Sequence, residues 1–178
     1  FYYTRFFISI ILFLALSSIS DAQTYKGNRF RVTEVNDGDT ISIKVNSFLG
    51  VTTNIERLRL IGIDAPELKQ EPWGRLSKRY LKRLISESDW VVRIEFDVEK
   101  RDKYGRLLGY VWDKKGRLIN EKMLEDGYAV LYTIPPNIKY TERFILAQKN
   151  AQQKRRGLWG KGGLKMSPTQ WRIENPRN

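Results

Sequence analysis

The sequence predicts a small α+β protein or barrel, with one strongly curved sheet and its helices packed outside. Three observations point there. Five segments alternate apolar and polar residues with the period of a half-buried strand, and three others repeat apolar residues at helical spacing. No internal repeat and no second group of such segments follows, and 178 residues of which 41% are hydrophobic suit a single core.

The first strand spans Asn28 to Val35, with Phe30 and Val32 on one side and Arg31 and Thr33 on the other. Asn36-Asp37-Gly38-Asp39 follows, and its Asp-Gly pair is a strong hairpin signal. Thr40 to Asn46 alternates again through Ile41, Ile43 and Val45. A longer third strand runs from about Val51 to Ile63, with Leu58 and Leu60 opposite Arg57 and Arg59. Arg59 therefore projects near the strand end that carries Asp64.

Arg75 to Ser86 has the period of an amphipathic helix. Leu76, Tyr80, Leu81, Leu84 and Ile85 form its apolar face, and five Arg and Lys residues cover the rest, first of all as a solvated surface. Trp90, Val92, Ile94 and Phe96 mark a fourth strand, and Arg106 to Trp112 a fifth that turns at Asp113-Lys114-Lys115-Gly116. Asn120 is placed as the N-cap of a second helix, with Ile119 and Leu124 as a hydrophobic staple and Gly127 as its stop. A last helix runs from about Thr141 to Arg156 with Phe144, Ala147 and Ala151 inward and Gly157 ending it. From Gly160 on, Gly, Lys, Ser and Pro predict a loose tail, so residues 161–178 are set apart from a domain over 23–160. Five curved strands with helices outside are the plan of an OB-type Greek-key barrel, a fold that commonly binds oligonucleotides.

Composition excludes several chemistries. The chain has no cysteine, so it has neither disulfides nor thiolate metal sites, and no histidine, so it has no Ser-His triad and no imidazole base. Hydrolysis would have to come from carboxylates, Arg, Lys, Tyr or a hard metal ion. A net charge of +12 favours polyanionic partners: nucleic acid, anionic lipid or a sulfated glycan.

Residues 1–22 read as a cleaved secretory signal. Phe6 to Leu16 is apolar apart from Ser9, Arg5 precedes it, and Ser20-Asp21-Ala22 resembles a cleavage site. The run is shorter than the roughly 20 residues that span a bilayer, which favours a leader over an anchor. The expected product is secreted or periplasmic, monomeric, and without lasting membrane association.

Candidate chemistry sits in three loops. Asp39 and Asp64 each end a strand beside a turn, where carboxylate oxygens suit calcium or magnesium. Glu67, just past Pro66, could act as a general base on a nearby water. Arg59 and Arg106 could each offer a planar fork to a phosphate. Taken singly, each of these residues is more simply a turn former or a surface ion-pair partner.

The set as a whole resembles staphylococcal (micrococcal, thermostable) nuclease and its relatives. The likeness is carried by Val35-x-Asp37-Gly38-Asp39-Thr40, Arg59-Leu60-Ile61-Gly62-Ile63-Asp64-Ala65-Pro66-Glu67 and Asp102-Lys103-Tyr104-Gly105-Arg106, and extends over roughly Phe30 to Trp159. It implies an OB-fold barrel with three helices that uses one calcium ion to hydrolyse DNA and RNA, as single strands or frayed duplex, leaving 3′-phosphates. By the resemblance, Asp39 and Asp64 give side-chain oxygens to calcium and Ala65 its backbone carbonyl. Glu67 would activate the water, and Arg59 and Arg106 would hold the scissile phosphate. Lys103, Tyr104 and Tyr132 match nucleotide-pocket positions. This sequence departs from the family in having Ala65 where Thr is common, one residue fewer between Tyr132 and Pro136, and Ile134 where an aromatic ring would stack on a base. A non-catalytic OB-type binding module is the main rival, and an exported protein that coats anionic surfaces a more distant one.

Overall fold

A computed structural model describes residues 29–46 and 53–176. Residues 1–22, the predicted leader, lie outside them. Five strands close into a barrel: β1 (Arg29–Val35), β2 (Thr40–Asn46), β3 (Thr53–Leu60), β5 (Val91–Glu95) and β6 (Leu107–Trp112), in the order β1-β2-β3-β6-β5 with β5 returning to β1. All ladders are antiparallel except β3 with β6, which run parallel. Two short strands, β4 (Gly62–Asp64) and β7 (Val130–Tyr132), form a separate ribbon. The mixed α+β class and the five-stranded OB-fold barrel are as the sequence predicts.

Inward alternation builds the core. Phe30, Val32 and Val35 are buried on β1, the change of phase being absorbed by a bulge between Val32 and Glu34. Ile41, Ile43, Leu58, Ile94, Leu107 and Val111 are completely enclosed. Helix α1 (Trp73–Glu87) packs Tyr80, Leu81, Leu84 and Ile85 against the barrel, and its Ser77 hydroxyl donates to the Tyr128 carbonyl at 2.6 Å. Helix α2 (Ile119–Glu125) and helix α3 (Thr141–Gln153) complete the outer layer.

Three expectations need correction. The third strand does not run unbroken to Ile63. Gly62 adopts φ +80°, a conformation that only glycine takes readily, so the chain leaves the barrel after Leu60 and restarts as β4. Asn120 does not cap α2, since Leu118 precedes the helix and Asn120 lies within it. The Asn120 side chain is wholly buried: it accepts the Val111 N–H at 2.9 Å and donates to the Ile61 carbonyl at 2.8 Å. A buried amide gains more from pairing two stranded backbone groups than from a solvated cap. Finally, the segment after Gly160 carries a fourth helix, α4 (Pro168–Glu174), whose start is capped by Ser167 accepting the Gln170 N–H at 3.1 Å.

Candidate active site

The loop between β1 and β2 delivers Asp39. Asp37 Oδ1 accepts the Asp39 N–H at 3.0 Å, a local turn that aims the Asp39 side chain at β4. There Asp39 Oδ2 accepts the Ala65 N–H at 2.7 Å, and Oδ1 accepts the Thr40 hydroxyl at 3.1 Å. Gly38 makes this approach feasible. A Cβ at that position would lie 2.5 Å from the Ala65 Cβ and 2.8 Å from the Ser77 Cβ.

Arg59 on β3 reaches both carboxylates. Its Nη2 donates to Asp64 Oδ1 at 3.1 Å, and its Nη1 pairs with Asp39. Asp64 is 1% exposed, so its charge needs such a partner. Burial pushes the Arg59 pKa down while Asp64 and Asp37 pull it back up, and a guanidinium starts so far above neutrality that it stays charged. Burial also pushes the Asp37 carboxyl up, against the pull of Arg59.

Arg106 is set by its own turn. Asp102 Oδ1 accepts the N–H groups of Tyr104 at 2.9 Å and Arg106 at 3.0 Å, while Oδ2 accepts Arg106 Nε at 2.8 Å. That last bond fixes the plane of the guanidinium. The Tyr104 ring, largely exposed, lies under Lys103 Nζ at 5.1 Å and Arg106 Cζ at 5.7 Å.

These groups share one hollow of about 1000 Å³. Asp39, Asp64 and Glu67 form its acidic wall, Arg59, Arg106 and Lys103 its basic side, and Tyr104 and Tyr132 its aromatic edge. Ile134, 57% exposed, lies on the same edge. Ala65 is the exception: it is buried behind Asp64 and does not line the hollow. Among the described residues no group of three or more acidic side chains converges into a metal cage. The hard donors on hand are the Asp39 and Asp64 oxygens, which already hold guanidinium groups as stand-in cations.

One part of the site escaped sequence reasoning. Arg172 on α4 donates from Nη2 to Asp64 Oδ2 at 2.8 Å, and from Nη1 to Asp64 Oδ1 and Glu67 Oε1, both at 3.0 Å. Thr169 adds a hydroxyl donor to Asp64 Oδ2 at 3.1 Å. Hydrogen bonding to Asp64 raises the Arg172 pKa further. A signal existed in Ser167-Pro168-Thr169-Gln170, which has a cap residue, a proline at the first helical position and a Gln at the third.

Fold and site together define an OB barrel whose wall carries an acidic and arginine-lined hollow. Residues 57–161 match the family of staphylococcal nuclease homologues. The thermonuclease of Staphylococcus hyicus is 36% identical over 147 residues, covering 80% of this chain and 79% of that protein. The thermonuclease of Staphylococcus intermedius is 37% identical over 139 residues, 75% of this chain and 77% of its own. An Escherichia coli protein named as an uncharacterized endonuclease is 34% identical over 157 residues, 87% and 90% of the two chains. The chain belongs to the staphylococcal nuclease family.

Proposed function

We propose that this protein, a nuclease by its family, is a secreted, calcium-dependent enzyme that hydrolyses DNA and RNA to give 3′-phosphate ends. The observation that carries the reading is the meeting of Arg59, Arg106 and three carboxylates at one hollow of about 1000 Å³. Residues 1–22 serve as the leader and residues 23–160 as the catalytic domain. No helix among the described residues is long and apolar enough to cross a membrane.

In this reading Asp39 and Asp64 would hold calcium, while Ala65, whose carbonyl the resemblance adds to the set, does not line the hollow. The oxygen donors fit a hard cation, and the guanidinium groups now on Asp64 mark a place where positive charge is favourable. The ion would supply Lewis-acid neutralisation of the phosphate. Glu67 takes the proton of the attacking water, whose oxygen bonds to phosphorus as the bond to the 5′ oxygen breaks. The 5′ oxygen leaves as a hydroxyl after taking a proton from solvent. Arg59 and Arg106 both line the hollow and would stabilise the growing charge on the phosphate, the plane of the Arg106 guanidinium being held by Asp102. Lys103 steers the backbone by charge, and Tyr104 and Tyr132, 72% and 39% exposed, offer ring faces to unstacked bases.

Plasmid incubated with the protein separates the readings. Degradation with calcium that stops in excess chelator is the expected result. A retarded but intact band would replace the enzyme with a binding module, and degradation unaffected by chelator would remove calcium from the mechanism.

A further inference from the structure

Helix α4 places a cation where the proposed metal ligand and the proposed base are. Arg172 takes both oxygens of Asp64 and one of Glu67, at 2.8 to 3.0 Å. Trp171, Arg172 and Asn175 enter the lining of the hollow itself. The approach to the helix is tied down as well. Gln70 Nε2 donates to the Met166 carbonyl at 2.6 Å, Leu164 N–H donates to the Leu158 carbonyl at 3.0 Å, and Pro168 is buried. Apolar attachment is thin by comparison, with Ile173 68% exposed. Polar and ionic contacts at the site therefore hold the helix more than a buried face does.

We infer that α4 is an intramolecular competitor of the divalent cation: docked, it occupies the cation position through Arg172, and binding of calcium requires it to leave. The inference rests on the calcium reading above. Its physical basis is exclusion. Asp64 has no carboxylate oxygen outside the grip of Arg172, and a divalent ion at the same oxygens would repel the guanidinium at close range. A binding-competent state that is only a fraction of the population weakens the apparent affinity by that fraction. With a docked form outnumbering the undocked one by about ten to one, calcium binds about tenfold more weakly than to the open site. The tail thereby sets the calcium concentration at which the enzyme turns on.

Calorimetric titration of calcium into the full chain tests this, comparing wild type with Arg172→Gln, Thr169→Val and Lys165→Gln. Arg172→Gln is expected to bind calcium about tenfold more tightly. Thr169→Val, which alters no charge, moves the affinity the same way by a smaller factor. Lys165→Gln, which removes an exposed charge from the same segment, leaves it unchanged. Hydrogen exchange of wild type supplies an independent readout: amides of residues 169–174 should exchange faster once calcium is added. Equal or weaker calcium binding by Arg172→Gln, with exchange of α4 indifferent to calcium, overturns the inference and leaves the nuclease reading standing. Failure of both wild type and Arg172→Gln to bind calcium removes the two together.

Discussion

Arg59 Nη2 stands 3.1 Å from Asp64 Oδ1, the first residue lying in barrel strand β3 and the second at the end of β4, on either side of the break at Ile61. The chain turns at Ile61 and Gly62, and β4 pairs with β7 outside the barrel while its last residue still meets the arginine on β3. The same guanidinium also pairs with Asp39. A single planar fork thus joins the loop before β2, the end of β3 and the end of β4.

Arg59→Lys tests that geometry without removing charge. An ammonium is a point donor that cannot span two carboxylates and a phosphate in one plane. Turnover is expected to fall by about 10²-fold or more, as for loss of a preorganised donor, while circular dichroism remains native. Turnover within a few-fold of wild type would show that positive charge alone is sufficient.

Gly38→Ala probes the contact that lets Asp39 reach β4. The new methyl would meet the Ala65 Cβ at 2.5 Å and the Ser77 Cβ at 2.8 Å, and both neighbours are fixed to backbone elements. Overpacking of this kind costs about 1–3 kcal/mol. Urea unfolding should report that loss, and calcium titration should show weaker binding because the Asp39 loop is pushed away. Unchanged values in both would mean that the loop is free to shift.

Asn120→Ala strands two buried backbone groups, the Val111 N–H and the Ile61 carbonyl. Each buried group left without a partner costs about 1–3 kcal/mol, so denaturant unfolding should show a loss of about 2–6 kcal/mol. Because Ile61 leads directly into β4, activity should fall beyond what the unfolded fraction explains. A loss below about 1 kcal/mol would show that water has replaced the amide.

Acid stability has a local source at Asp126. Burial pushes its pKa up, but the Tyr80 hydroxyl, Lys122 and Arg156 together hold it below the ordinary value. An acid depressed in the folded state releases its proton more readily there than in the unfolded chain. Its contribution is therefore complete above the usual carboxylate pKa of about 3.9 and is lost as pH falls through the folded value. Unfolding midpoints should stay level from about pH 5 to 8 and drop below about pH 4. Asp126→Asn should lower the plateau and soften the drop, and an unaltered acid limb would assign it elsewhere.

The sequence by itself narrowed the fold to a small α+β protein or barrel, and its three motifs named most of the residues that line the hollow. Alternation picks out the inward Phe30 and Val32, Ile41, Ile43 and Val45, and Val92 and Ile94, because a period of two leaves only two faces to choose between, whereas the bulge that buries Val35 is not visible in it. The acidic and arginine loops were legible only as a set: singly, Asp39 after Asp37-Gly38 and Asp64 before Pro66 are ordinary turn residues, and it is the three motifs together that resemble the nuclease family. What only the tertiary structure decided depends on partners far along the chain. Asn120 is indistinguishable from a cap until Val111 and Ile61 are seen to need it, and Gly38 from a turn glycine until Ala65 and Ser77 press against it. Arg172 lies 108 residues from Asp64, in a segment whose composition promises little structure. No local pattern encodes such a contact, because its free energy comes from pairing a carboxylate that the rest of the fold has already buried.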